Sequence, residues 1–213
     1  MIRLGESYLA ILYDYLHQKL YDYHVIQADE TPVLVHRDGR PAGSKSYMWV
    51  YRSGHLYKAK RIVLYDYHKT RNSSHPREFL KNYSGICVTD GYQVYHKVEK
   101  ERENLRIAGC WVHARRKFDE AMNVVPKEQR KKSNAYLIMK QIQAIYREEG
   151  KLQELPPDER LMQRQLVIKP LVDALFAYLK KMEPTVPASG QLRKAYTLSL
   201  IHISEPTRRS YIS

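Results

Sequence analysis

Two aspartates stand where their type and spacing suit metal-assisted chemistry. Asp29 lies inside the apolar, β-branched run VIQADETPVLV, and Asp90 closes the shorter run ICVTDGY, 61 positions further on. On neighbouring strands of one sheet, the two carboxylates would project toward a common point. Oxygen ligands so arranged suit Mg²⁺ or Mn²⁺. A pair of such ions, roughly 3.5–4 Å apart, activates an attacking oxygen and stabilises a leaving one in phosphoryl transfer. Each aspartate also has a plainer reading. An Asp before Gly at a strand end serves as a turn residue. A carboxylate flanked by Ile26, Val33 and Val35 costs free energy unless paired, so an ion pair with Lys or Arg would also account for Asp29. Glu30 and Thr31 are expected to help place Asp29 rather than to react.

Other candidates are cationic or aromatic. His113, Arg115, Arg116 and Lys117 fall at an expected strand-to-helix junction, where a helix N-terminus helps hold a DNA phosphate. A solvated charged face is the alternative for that run. Lys and Arg number 36 against 23 Asp and Glu, a formal charge of +13, and the surplus favours a polyanionic partner. Tyr65, Tyr67 and His68 interleave with Lys69 and Arg71, as on many nucleic-acid surfaces. Trp49 and Trp111 read as core residues, with stacking on a flipped base as the other possibility. His68, His75 and His96 lack paired metal-ligand spacing and read as surface residues. Cys87 and Cys110 form no C-x-x-C pair; they read as small apolar side chains in strands.

The elements that would position these residues follow from periodicity. Leu4, Tyr8, Leu9, Ile11, Leu12, Tyr15, Leu16 and Leu20 are spaced as on a helix. Three strands follow, from Tyr23, over SYMWVYR and over KAKRIVLYDYHK, with turn signals at Asp38-Gly39 and Ser53-Gly54: an antiparallel meander. HPREFLKNY predicts a short helix, ICVTDGY a fourth strand, LRIAGCWVH a fifth, and the sequence from Ala114 an amphipathic helix. Residues 127–182 read as helical throughout, with a stop near Gly150 and a kink or split at Pro170. The order predicts an α/β fold, a mixed sheet flanked by helices with a helical insertion. No run of eighteen apolar residues occurs and the N-terminus lacks a cleavage site, so neither a membrane span nor a secretory signal is expected, and a cytoplasmic protein is.

The blocks ADETPVLVHRDGR, YMWVYRSG, TDGYQVYHK and AGCWVHARRKFDEA, in that order, resemble consecutive blocks of the IS66 family of DDE-type bacterial insertion-sequence transposases. HPREFLKNYSG and SGQLRKAYTL are weaker matches in the right places, and the resemblance covers nearly all of residues 8–198. It implies a ribonuclease-H-like catalytic core in which Asp29 and Asp90 match the first two catalytic acids and hold two Mg²⁺ (or Mn²⁺) ions. It further implies DNA as partner, at transposon ends and target, and a homo-oligomer. The family's third acid, a glutamate in an Asn-rich stretch, has no counterpart here: Glu183 comes too early and Glu205 sits in unrelated sequence. SLIHISEPTR resembles translated sequencing-adapter DNA, so the expectation is a fragment short at both ends with a non-native tail. The expected division is an N-terminal helix over 1–22, the catalytic core over 23–126, a helical insertion over 127–184, a return to the core over 185–198 and the tail over 199–213. A DNA-binding fragment without catalysis, or a related ribonuclease-H-like nuclease, are the alternatives to a transposase core.

Overall fold

The computed structural model describes residues 5–36, 39–54 and 61–203. Asp38 of the expected first turn, the start of the expected third strand, and residues 204–213 with Glu205 lie outside the described residues. Alternation organises the first half of the chain. In β1 (Val25–Leu34), Ile26, Ala28 and Glu30 are buried while Asp29 between them is exposed, the period of two that a half-buried strand shows. β2 (Lys45–Ser53) runs antiparallel to β1, with Ile26 facing Ser53, Ala28 facing Tyr51 and Glu30 facing Trp49. β3 (Val63–His68) pairs antiparallel to β2 and completes the meander. β4 (Gly85–Thr89) then pairs parallel to β1 on its other side, and β5 (Leu105–Gly109) lies beyond β4. The sheet order is β3-β2-β1-β4-β5. A mixed, open, five-stranded sheet flanked by helices is an α/β fold compatible with the ribonuclease-H-like architecture.

The chain divides into two compact units, residues 1–107 and 108–213. In the first, one sheet face packs against α1 (Ala10–Leu20), α2 (Ser74–Phe79) and α3 (Gln93–Lys100), around Leu20, Ile26, Trp49, Tyr51, Phe79, Tyr83, Cys87 and Tyr95. Tyr51 stacks flat on Phe79 at a centroid distance of 3.5 Å, a contact that adds about 1 kcal/mol to area burial. Gly85 starts β4 with φ +147°, and a Cβ there would stand 2.5 Å from the His24 carbonyl oxygen. Only glycine allows β4 so close to β1.

The second unit is helical: α4 (Trp111–Asn123), α5 (Asn134–Lys151), α6 (Pro157–Gln163), α7 (Lys169–Met182) and α8 (Gln191–Thr197). Its core is built from Phe118, Ile138, Ile142, Val172, Leu175, Leu179 and Tyr196. The Ser133 hydroxyl caps α5 by accepting from the Tyr136 amide. The split expected at Pro170 takes the form of a π-helical turn, Arg164–Ile168, between α6 and α7. The wider turn lets the Lys169 amide reach the Arg164 carbonyl just before the proline that cannot donate.

Two local expectations fail. QVYHKVEK, given no element between the expected fourth and fifth strands, is the helix α3, which buries Val94, Tyr95 and Val98. WVH, read as the end of the fifth strand, opens α4, because Trp111, Ala114 and Phe118 together form a helical stripe against the second core. Cys110 therefore sits half-buried ahead of a helix rather than in a strand; Cys87 is buried in β4 as expected.

Candidate active site

The β1–β4 register brings the two aspartates into correspondence. Val25 faces Ile86, Ile26 faces Cys87 and Gln27 faces Val88. Carried on by two residues, that register sets Asp29 level with Asp90, which follows the end of β4 at Thr89. Asp29 belongs to the alternation set of Gln27 and lies on the sheet face opposite the one that carries Ile26; Asp90 stands where the chain leaves the sheet for α3. Neighbouring strands lie about 4.8 Å apart, well within reach of two carboxylates that share a ligand.

Asp29 is exposed rather than enclosed by Ile26, Val33 and Val35. Its Oδ1 accepts from the Glu30 amide at 2.9 Å. A buried ion pair is formed by its neighbour. Glu30, on the core face with its side chain 1% exposed, receives Arg71 on Oε1, from Nε at 2.9 Å and from a terminal guanidinium nitrogen. Tyr95 donates its hydroxyl to Glu30 Oε2 at 3.0 Å. Burial pushes the Glu30 carboxyl up, and the negative charge of Asp90 adds to that, while the bonds from Arg71 and Tyr95 pull it down.

Asp90 also performs the turn function that its sequence suggests. Its Oδ1 accepts from the Tyr92 amide at 2.9 Å, across Gly91 at φ +86°, which leads the chain from β4 into α3. Tyr92 in turn carries the Arg71 guanidinium over its ring, 3.7 Å from the centroid, and donates its hydroxyl to the Arg71 carbonyl at 3.1 Å. Asp29, Glu30, Arg71, Tyr92 and Asp90 thus form one connected chain of contacts between the β1 and β4 acids. The spacing of residues in sequence holds no trace of this link. Only the apolar stripe Val94-Tyr95-Val98 signals the helix that supplies Tyr95.

The remaining candidates are distributed elsewhere. His113, Arg115, Arg116 and Lys117 occupy the first two turns of α4. Arg116 is exposed, Arg115 lies 5.8 Å over the Tyr146 ring, and Lys117 donates to Glu120 at 2.8 Å. Burial raises the Cys110 thiol, but bonds from the His113 side chain and from the His113 and Val112 amides outweigh it and leave the thiol below its usual range. Trp49 is fully buried and Trp111 half-buried. His68 and His75, expected at the surface, stack on each other at 3.6 Å; Asp66 bonds His68 and Thr70 bonds His75, each at 2.8 Å. His96 is half-buried beside Glu99 at 3.2 Å. Glu183 forms an ion pair with Arg193 at 3.7 Å.

Asp29 and Asp90 are hard oxygen donors of the kind that Mg²⁺ and Mn²⁺ take. Among the described residues no three His, Cys, Asp or Glu side chains converge on one point. The pair fits such a metal in ligand type and supplies part of its ligand number.

The sequence profile of the family described as "Transposase IS66 family" matches residues 1–208. The chain belongs to the IS66 transposase family. Similar curated proteins come from Sinorhizobium fredii (strain NBRC 101917 / NGR234). An uncharacterized protein, y4qI, is 31% identical over 119 residues, which cover 52% of this chain and 22% of that protein. A second, y4jD, is 26% identical over 149 residues, 68% of this chain and 28% of its own length. The chain thus spans about a quarter of the length of these curated relatives. No solved structure gives a significant match. Among the described residues, no helix of this IS66-family chain is long and apolar enough to cross a membrane.

Proposed function

We propose that this chain carries the first two acids of a transposase active site that cuts transposon ends and joins the freed 3′-hydroxyl to target DNA. The observation that supports this reading is the parallel β1–β4 register, which, carried on by two residues, sets Asp29 in β1 level with Asp90 just past the end of β4. In the working enzyme these two carboxylates hold Mg²⁺ or Mn²⁺, which supplies an activated nucleophile and charge neutralisation at the leaving oxygen. The protein's own part is positional. The Glu30 amide fixes one oxygen of Asp29, the Tyr92 amide fixes one of Asp90, and Arg71 ties the two strands' ends through Glu30 and Tyr92. Arg115, Arg116 and Lys117 are proposed to meet the DNA backbone without reading sequence. The regions 1–22, 23–126 and 127–184 are proposed as lead-in helix, catalytic core and helical insertion, and homo-oligomerisation belongs to the same reading.

The test is a pair of variants in the complete protein. Asp29→Asn and Asp90→Asn each abolish Mg²⁺-dependent cutting of a transposon-end duplex and leave its binding within about twofold; wild-type cutting by either variant ends the assignment. A second reading rests on the absence of a third converging ligand among the described residues: on its own the 213-residue chain binds DNA and does not cut it. Incubation of this chain with labelled duplex and Mg²⁺ or Mn²⁺ separates the two, since turnover would demand another carboxylate from within it.

A further inference from the structure

The sheet face that bears Asp29 continues outward across β2 to the edge strand β3. Asp29 faces Val50, and Val50 faces Tyr65; one row along, Thr31 faces Met48, which faces Tyr67; on the other side, Gln27 faces Arg52, which faces Val63. Tyr65 and Tyr67 therefore share a face with Asp29, in rows that begin at β1. Tyr65 is 61% exposed and Tyr67 39%. A tyrosine ring left in solvent offers an apolar face with a polar tip, which a flat partner can cover. The surrounding charge is positive: Arg52 is exposed on the same face, bonded to Gln27 Oε1 at 2.6 Å, and Arg61 and Lys69 are exposed at the two ends of β3. Arg40 reaches the same face by donating to the Ser46 hydroxyl, which in turn meets the Tyr67 hydroxyl at 2.9 Å and holds that ring in place.

We infer that this face is a stacking platform for unpaired DNA bases, with Tyr65 and Tyr67 supplying the π-surfaces and Arg52, Arg61 and Lys69 the backbone charge. The inference rests on the proposed reading of Asp29 and Asp90 for its place beside the reacting phosphate. Duplex DNA presents only base edges in its grooves, so an exposed tyrosine face finds a partner only where bases are unstacked. Tyr65 stands two strands from Asp29, roughly 10 Å across the sheet, one or two nucleotides from a phosphate held at the acids. Tyr65 and Tyr67, two residues apart on one strand, are separated by about 6.8 Å. The bound segment is thus single-stranded DNA at the end of the cleaved duplex.

The experiment measures fluorescence anisotropy of a labelled 12-nucleotide single strand and of a 12-base-pair duplex, in EDTA, with the 213-residue chain. Tyr65→Ala is expected to weaken single-strand binding about tenfold and duplex binding less than twofold, and Tyr65→Phe to bind as wild type because the ring face remains. Tyr67→Ala shows the same sense of change. Equal losses on both probes, or none on the single strand, overturn the proposal. So does a Tyr65→Ala effect on sedimentation of the free protein without one on single-strand affinity, which would mark a surface for a second copy of the chain. Because binding is read without divalent metal, failure here is separate from failure of the catalytic reading, which is tested by the Mg²⁺-dependent cutting assay alone.

Discussion

Glu30 holds its carboxylate where water scarcely reaches, and Arg71 is the group that makes this tolerable. A buried charge is costly unless it is paired and its remaining lone pairs are satisfied. Here the planar guanidinium of Arg71 covers one carboxylate oxygen and Tyr95 the other. Arg71→Met leaves Glu30 buried and unpaired, and is expected to lower stability by about 3 kcal/mol, read as a lower urea midpoint with unchanged slope. Arg71→Lys restores the charge but neither the two-point contact nor the stack on Tyr92, and is expected to recover only part of the loss. A Met variant as stable as the parent would show that Glu30 finds other partners. In sequence, Glu30 could be read only as a helper of Asp29 and Arg71 only as one cation among many. Their pairing, 41 residues apart, is a tertiary fact with no local signature.

At the level of elements, the meander was legible because alternation and turn residues agree over Val25–Leu34 and Lys45–Ser53. α3 was not, because His96, Lys97, Glu99 and Lys100 mask its three buried positions, and the true start of α4 was hidden by the apolar run Trp111-Val112. Two element junctions give sharp tests. Gly85→Ala places a methyl 2.5 Å from the His24 oxygen at a φ that alanine rarely adopts; a cost of about 2–3 kcal/mol is expected, measured by denaturant unfolding, and a variant within 0.5 kcal/mol of wild type (about the noise of surface substitutions) would refute the close approach. The end of β3 meets α2 through His68 stacked on His75, with Asp66 beside them. Burial and the neighbouring His68 push the His75 pKa down, against a smaller upward pull from Asp66. The folded state therefore binds this proton less readily than the unfolded chain. The contribution is intact above the ordinary value of 6.5 and is lost as pH falls through the lower folded value. Thermal midpoints should drop as the buffer is taken from pH 7 toward 5, and His75→Gln should flatten that slope; an unchanged slope would place the titration elsewhere.

For the molecule as a whole, the decisive property is the formal charge of +13, which bears on the proposed affinity for DNA rather than on fold. Neutralising a number of phosphates makes the logarithm of the binding constant fall with the logarithm of salt at about −0.9 per contact. Total charge does not say which cations are the contacts, but the surroundings of those on α4 do. Lys117 is already bonded to Glu120, whereas Arg116 is exposed and Arg115 is held over Tyr146 with its guanidinium still accessible. Removing both arginines, Arg115→Ala with Arg116→Ala, is expected to reduce the salt slope for duplex binding by about 2, while Lys117→Ala reduces it by less than about 0.5. Titrations of labelled duplex at four salt concentrations read both slopes directly. If the double variant kept the parent slope, the basic turn of α4 would be a solvated helix face, and the positive charge that meets DNA would have to be sought on the β2–β3 side of the first unit, around Arg52 and Arg61.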